Sequence, residues 1–340
     1  MSGGRSPNPC QWGVLAAAVI ASSTARADTT LVLSAKAQVR AETIVVEDAD
    51  AGGTRFLIPR AQVNADGHAL SPDFRYRLSV GFNEPTEVSL RDLYANGVLV
   101  PQVLELRVGR FKRPLNRQFI TSAYAIELTE RAETTGFSAS ARDLGFMLHD
   151  GYDRSPNGVE WAVGAFNGRI ASGDHGELSD IALVARVGWN FGGIDGYTEG
   201  DLAGGPLRAA VAVSGLTHAD MNVRHELEVD AIAKVDGLDV SGAFFLRVPE
   251  TDEPSPAVEL GFHVQAGYFV LPRRLLFAGR FASIPATERD GRQTETRAGI
   301  TYYVDGKALK VSGECGLVDE TGDSAPGHRV EVRVQAQLAI

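Results

Sequence analysis

Arg329-Val330-Glu331-Val332-Arg333-Val334-Gln335-Ala336-Gln337-Leu338-Ala339-Ile340 closes the chain, and its reading decides the fold. Val330, Val332, Val334, Ala336, Leu338 and Ile340 alternate with Arg329, Glu331, Arg333, Gln335 and Gln337. A period of two puts the apolar set on one face of a strand and the charged set on the other. The run from Val330 to Ile340 has the length at which a tilted strand crosses a bilayer, with one face toward lipid and one toward water. The same pattern opens the body of the chain, where Ala35-Lys36-Ala37-Gln38-Val39-Arg40-Ala41-Glu42-Thr43 alternates small or apolar with polar residues. Between the two ends, Phe74/Tyr76/Leu78/Val80/Phe82 face away from Arg75/Arg77/Ser79, and Val258/Leu260/Phe262/Val264 face away from Glu259/His263/Gln265. Helical periodicity of comparable length is absent.

Such runs place strands near 33–47, 54–66, 72–83, 86–96, 102–112, 141–151, 157–168, 179–191, 206–217, 222–236, 237–249, 256–270, 273–284, 293–304, 306–317 and 326–340. An even count suits a closed single-chain barrel, so the expected fold is all-β, a 16-stranded antiparallel transmembrane β-barrel. Asp236-Gly237 and Asp305-Gly306 are hairpin signals at one end. The polar stretches 47–54, 168–180, 249–256 and 318–327 fall at the other, which is extracellular if the first strand starts in the periplasm. The long stretch 192–206 lies on the side meant for short turns, which leaves room for an error in the count. Alternation also slips between Leu90 and Leu93, leaving the direction of Arg91 open.

Composition agrees with an exported, folded chain. The 340 residues are 44% hydrophobic and 22% charged, too apolar and too mixed in sign for disorder. Arg5, the apolar run from Trp12 to Ala21 and Ala25-Arg26-Ala27 form a signal peptide over residues 1–27, with cleavage after Ala27. The barrel domain is then 28–340. Losing Arg5 and Arg26 takes 33 basic residues to 31 against 43 acidic ones, a mature charge of −12. That acidity argues against a nucleic-acid partner. Two cysteines, Cys10 and Cys315, cannot build a disulfide framework or a Cys-rich zinc site.

A soluble β-sandwich also alternates, but its apolar face needs large residues to fill a core, and here many are Ala, Gly or Val. Charged residues at so many strand centres cannot enter a dry core, and sixteen successive strands lack a linker dividing them into sandwich-sized domains.

After the fifth strand nearly thirty residues carry no strand pattern, and a structureless loop of that size in a compact protein is usually functional. Its entrance is basic, with Arg110, Lys112, Arg113 and Arg117. Leu106 to Ala132 (LRVGRFKRPLNRQFITSAYAIELTERA), followed by Arg142 to Gly151 (RDLGFMLHDG), resembles the signature region of the phosphate-selective porin O and P family of bacterial outer-membrane channels. Asp92 to Gly97 (DLYANG) and Gly196 to Leu202 (GYTEGDL) fit the same pattern, while the end on Ile340 departs from the usual aromatic residue. The resemblance implies a porin in the outer membrane, a homotrimer among outer-membrane lipids. It passes small hydrophilic solutes by diffusion, with a preference in some members for anions such as phosphate. It also implies that the third extracellular loop folds inward to narrow the pore.

Arginine and lysine suit that task because they offer charge-assisted hydrogen bonds to phosphate oxygens. The candidate pore residues are Arg107, Arg110, Lys112, Arg113 and Arg117 around the loop, with Arg60, Arg75 and Arg77 on the wall. Against this stands the ordinary reading that wall arginines pair with wall carboxylates and merely keep the lumen wet. No catalytic residue, metal or cofactor is expected. His149-Asp150 near Asp143 reads as a hydrogen-bonded group rather than acid–base machinery. Two alternatives remain: a barrel plugged by its loop that serves as a structural or binding protein, and a barrel hydrolase.

Overall fold

The computed structural model of the protein describes residues 29–46, 52–83, 87–168, 181–220, 223–249, 257–285, 291–321 and 327–340. The expected signal peptide lies outside them, as do parts of the long polar stretches.

The strands are β1 (Val32–Val46), β2 (Gly53–Ala69), β3 (Ser71–Asn83), β4 (Glu87–Val100), β5 (Leu104–Lys112), β6 (Arg142–His149), β7 (Gly158–Phe166), β8 (Ala182–Phe191), β9 (Arg208–Asp220), β10 (Val223–Val235), β11 (Leu238–Pro249), β12 (Glu259–Leu271), β13 (Leu275–Pro285), β14 (Arg292–Asp305), β15 (Leu309–Thr321) and β16 (Gly327–Ala339). Each pairs antiparallel with its chain neighbour, and β1 pairs with β16 to close the barrel. Closure leaves no strand edge unpaired, as a wall facing hydrocarbon requires.

The period of two carries through. In β16, Val330, Val332, Val334 and Leu338 are 37–53% exposed on the outer wall, while Glu331, Arg333, Gln335 and Gln337 are buried inside. Asp236 and Gly237 both take positive φ, 47° and 88°, the conformation a two-residue hairpin turn demands. Pro59, which has no N–H to give, sits where the β1–β2 register shifts between Gln38 and Arg40. At the slip in β4, Ser79 pairs with Asp92 and Val80 with Leu90, so Arg91 is the extra residue of a bulge.

The barrel is not hollow. Between β5 and β6, residues 113–141 form only two short helices, α1 (Arg117–Ile120) and α2 (Thr134–Phe137). They run along the inner wall, held at their carbonyls. Gln38 Nε2 donates to Ala123 at 3.3 Å, Gln337 Nε2 to Tyr124 at 2.9 Å, Lys310 Nζ to Ile126 at 2.6 Å and Thr301 Oγ1 to Glu127 at 3.1 Å. Thus wall polar groups satisfy the backbone of a segment that has no sheet of its own.

Residues 192–207, between β8 and β9, hide no missed strand. They enter the lumen from the opposite end and meet the first segment. Arg117 Nη1 donates to the Gly196 carbonyl at 2.9 Å, Gln118 Nε2 to Glu199 Oε1 at 2.9 Å, and the Glu199 N–H to the Ala125 carbonyl at 2.8 Å. An apolar cluster including Phe111, Leu115, Met147, Phe166, Tyr197 and Leu216 fills the interior on the β5–β9 side. Open space is thereby displaced toward β1–β6.

Candidate functional site

Three cavities follow one another along the inside of the barrel. The central one, about 290 Å³, lies between β1–β6 and the segment 113–141. It shares Tyr94, Arg107 and Asp153 with a cavity of about 440 Å³ at the end of the barrel where the chain termini and short turns lie. It shares Arg131 with one of about 320 Å³ on the far side of the segment, lined by Phe119, Glu130, Glu133, Arg297 and Arg333.

The lining of the central cavity is basic, with Lys36, Arg77, Arg91, Arg107, Lys112, Arg131 and Arg142 against Asp92 and Asp153. Three of these cations are neutralised locally. Arg77 stands 3.3 Å from Asp66, Arg107 2.8 Å from Asp153, and Arg142 2.9 Å from Asp92. Among the described residues, the other four have no carboxylate at ion-pair distance. Lys112 Nζ donates to the carbonyls of Phe119, Ile120 and Thr121 at 2.6, 2.7 and 3.2 Å. Arg131 donates to the carbonyls of Gln118 and Thr121 at 2.7 and 2.6 Å. Lys36 lies 5.5 Å from the centre of the Tyr124 ring, and Arg91 Nε is buried with no hydrogen-bond partner. A carbonyl or ring satisfies a cation without supplying an opposite charge, so no carboxylate cancels the field of Lys36, Lys112 or Arg131 where they stand. Burial and then the neighbouring Arg60 and Arg142 push the Arg131 guanidinium below its ordinary value.

Elsewhere many of the wall charges pair off, although Lys234 and Lys310 reach carbonyls rather than carboxylates, and the buried Glu228 and Asp239 have no cation at ion-pair distance among the described residues. Arg297 reaches Glu295, Glu314 and Glu331 at 2.8, 2.9 and 2.7 Å; Arg186 grips Asp230 at 2.7 and 3.0 Å; Arg280 lies 2.6 Å from Glu295. Glu130, in the inner segment, pairs with both Arg60 and Arg40. Burial would raise its carboxyl, but these two guanidinia hold it down to about 2. Glu127 is the opposite case: burial, with Asp239 and Glu199 close by, pushes its carboxyl well up.

The eight residues expected at the pore divide accordingly. Arg77, Arg107 and Lys112 line the central cavity, and Arg75, 2.8 Å from Glu105, lines the cavity at the turn end. Arg60 is engaged by Glu130 and Gln38 and lines none of the three. Arg110 faces the outer wall, in register with the exposed Leu93 and Leu144, and its Nε donates to the Leu90 carbonyl at 3.1 Å. Strand alternation in β5 continues to that residue and takes it out of the lumen. Arg113 and Arg117 are locked structural groups. Arg113 is 1% exposed and 2.7 Å from Asp143, and Arg117 is 2.6 Å from Asp230 and 4.9 Å from the Tyr197 ring centre. Of the four basic residues at the loop entrance, inward carboxylates distant in sequence thus neutralise Arg113 and Arg117, Arg110 points outward, and only Lys112 lines the cavity.

Lys36, Arg91, Arg131 and Arg142 were not among the candidates. Lys36 carries the inward phase of β1, a signal that was available. Arg91 was hidden by the bulge; its side chain crosses Gly81, where an added Cβ would stand 2.7 Å from Arg91 Cδ. His149 is occupied, with Nε2 2.9 Å from Asn96 Oδ1 and Nδ1 accepting the Gly151 N–H at 2.9 Å. No group of three or more His, Cys, Asp or Glu suited to a metal occurs among the described residues.

Comparison with solved structures gives the same architecture at low sequence identity. An anion-selective porin from Comamonas acidovorans superposes with a TM-score of 0.63 at 13% identity, covering 92% of this chain and 100% of that one. The fold is that of the sixteen-stranded porins. Pseudomonas putida OprB (TM-score 0.63, 10% identity, 92% and 94% covered) and Salmonella typhi OmpF (0.63, 12%, 91% and 97%) match similarly. No family model and no curated protein matches the sequence. The likeness thus extends to the porin barrel in general and carries no match specific to the phosphate-selective O and P family.

Proposed function

We infer that the protein is an outer-membrane porin: a passive channel for small hydrophilic solutes that favours anions, phosphate among them. In this reading residues 1–27 direct export, the end holding the termini is periplasmic, and residues 113–141 are the third extracellular loop, folded inward to set the aperture. The barrel sits among outer-membrane lipids as a homotrimer. The observation that carries the anion preference is the group Lys36, Arg91, Lys112 and Arg131, which lines the central cavity with no carboxylate partner among the described residues, whereas the two carboxylates of that lining, Asp92 and Asp153, are paired with Arg142 and Arg107. A permeating anion gains Coulomb energy there and meets donors that can replace its water.

The meeting of residues 113–141 with 192–207 inside the lumen favours the second reading, a plugged barrel with a structural or binding role. Planar-bilayer recordings of the refolded mature chain separate the two. Ohmic steps, a chloride-leaning reversal potential in asymmetric KCl and block by added phosphate support the anion channel. Cation preference would remove the anion reading and keep the pore, and silence from a folded barrel would favour the plug.

A further inference from the structure

Phe119 stands where two of the cavities meet. Its ring lines the cavity on the outer side of the segment, while the next residue, Ile120, lines the central one. Lys112 Nζ, Arg131 Cζ and Arg142 Cζ lie 5.3, 5.6 and 6.0 Å from the ring centre, and all three side chains belong to the central cavity. The backbone holds the ring in place. The Phe119 N–H donates to Asn116 Oδ1 at 3.1 Å, and its carbonyl accepts from Lys112 Nζ at 2.6 Å.

Two cations without a carboxylate partner, Lys112 and Arg131, thus share one neutral ring with Arg142, whose charge is paired with Asp92. The negative face of an aromatic ring attracts each of them, so the ring lowers their repulsion without adding a charge. The two cavities share Arg131 in their linings, and an anion moving between them beside Phe119 competes with the ring for the same cations. We propose that Phe119 is the selectivity-determining residue at the neck between the outer and central cavities. Its bulk narrows the passage, and its π face keeps the cation cluster from holding anions too firmly. Conduction requires such a balance, because a site that binds too well does not release. The proposal rests on the channel reading above.

The test compares wild type, Phe119→Ala and Phe119→Leu, each first checked for the heat-modifiable migration of a folded barrel. Single-channel conductance and block by inorganic phosphate are measured in planar bilayers. Phe119→Ala removes bulk and ring together and should raise conductance at least about 1.5-fold. Phe119→Leu keeps most of the bulk and loses the ring, so conductance should stay near wild type while phosphate blocks at a concentration lower by about two- to fivefold, the equivalent of one cation–π contact. A silent wild type opened by Phe119→Ala also supports the neck. A conducting wild type whose conductance and block are unchanged in both variants overturns the neck and leaves the channel standing. Silence in all three overturns both.

Discussion

Glu130 is the residue through which charge, stability and permeation can be read together. It bridges Arg40 and Arg60 from the inner segment and holds a pKa of about 2, against an ordinary 4.5. A carboxyl whose folded value is depressed contributes stability that is present above the unfolded value and lost as pH falls through the folded one. The gap corresponds to about 3 kcal/mol, at roughly 1.4 kcal/mol per pH unit. The side chain is 26% exposed, so solvent screening trims this to about 2–3 kcal/mol at pH 7. Glu130→Gln should therefore lower the unfolding free energy of the detergent-folded barrel by that amount at pH 7. The difference from wild type should narrow from pH 4.5 downward and largely close near pH 2. Urea titrations followed by tryptophan fluorescence at several pH values measure it. The same variant leaves Arg60 without a carboxylate partner and Arg40 with only Glu42, 3.9 Å away, so its reversal potential should move further toward chloride. A stability difference below about 0.5 kcal/mol at pH 7, or one that does not change between pH 7 and 2.5, would refute the pairing argument.

Arg91→Gln removes an inward cation that no carboxylate neutralises. Anion-to-cation permeability should fall about fivefold, as for the loss of about 1 kcal/mol of Coulomb attraction, and a reversal potential equal to wild type contradicts its place in the passage. Arg113→Ala should do the reverse, leaving selectivity unchanged because the side chain lines none of the three cavities. It strands the fully buried Asp143, so denaturant unfolding should register a loss of about 3 kcal/mol. A selectivity shift without a stability loss would return Arg113 to the pore.

The wall was legible because the physics that shapes it is local. A strand between lipid and water must alternate, and β16 and β1 state this in consecutive residues. Where one residue is inserted, as at Arg91, every later side chain changes phase relative to the earlier ones, and a period of two cannot be followed across the break. The stretch 192–207 defeated the reading differently. Its length suggested a miscount, and nothing local tells that Glu199 will accept from Gln118 and Gln265 inside the barrel. The pore residues were the least legible. Whether an arginine keeps its field depends on partners far along the chain: Arg113 on Asp143, Arg117 on Asp230, and Arg131 on carbonyls alone.

That dependence also reconciles an acidic chain with a basic passage. The formal charge of −10 is a sum over the whole molecule, whereas an ion within the lumen responds to the charges near it that remain uncompensated. Acidic residues are numerous on the inner wall, yet Glu295, Glu314 and Glu331 are bound to Arg297, and Glu42 is bound to Arg55 and Arg333. Two cations of the central cavity, Lys112 and Arg131, escape such neutralisation because the inner segment offers them carbonyls instead. Lys112 and Arg131 take up the last acceptors of α1, satisfying backbone groups that would otherwise be left without donors. Holding the segment in place and setting the sign of the field are thus one arrangement of atoms. A substitution that loosens α1 should therefore alter selectivity even where it removes no charge.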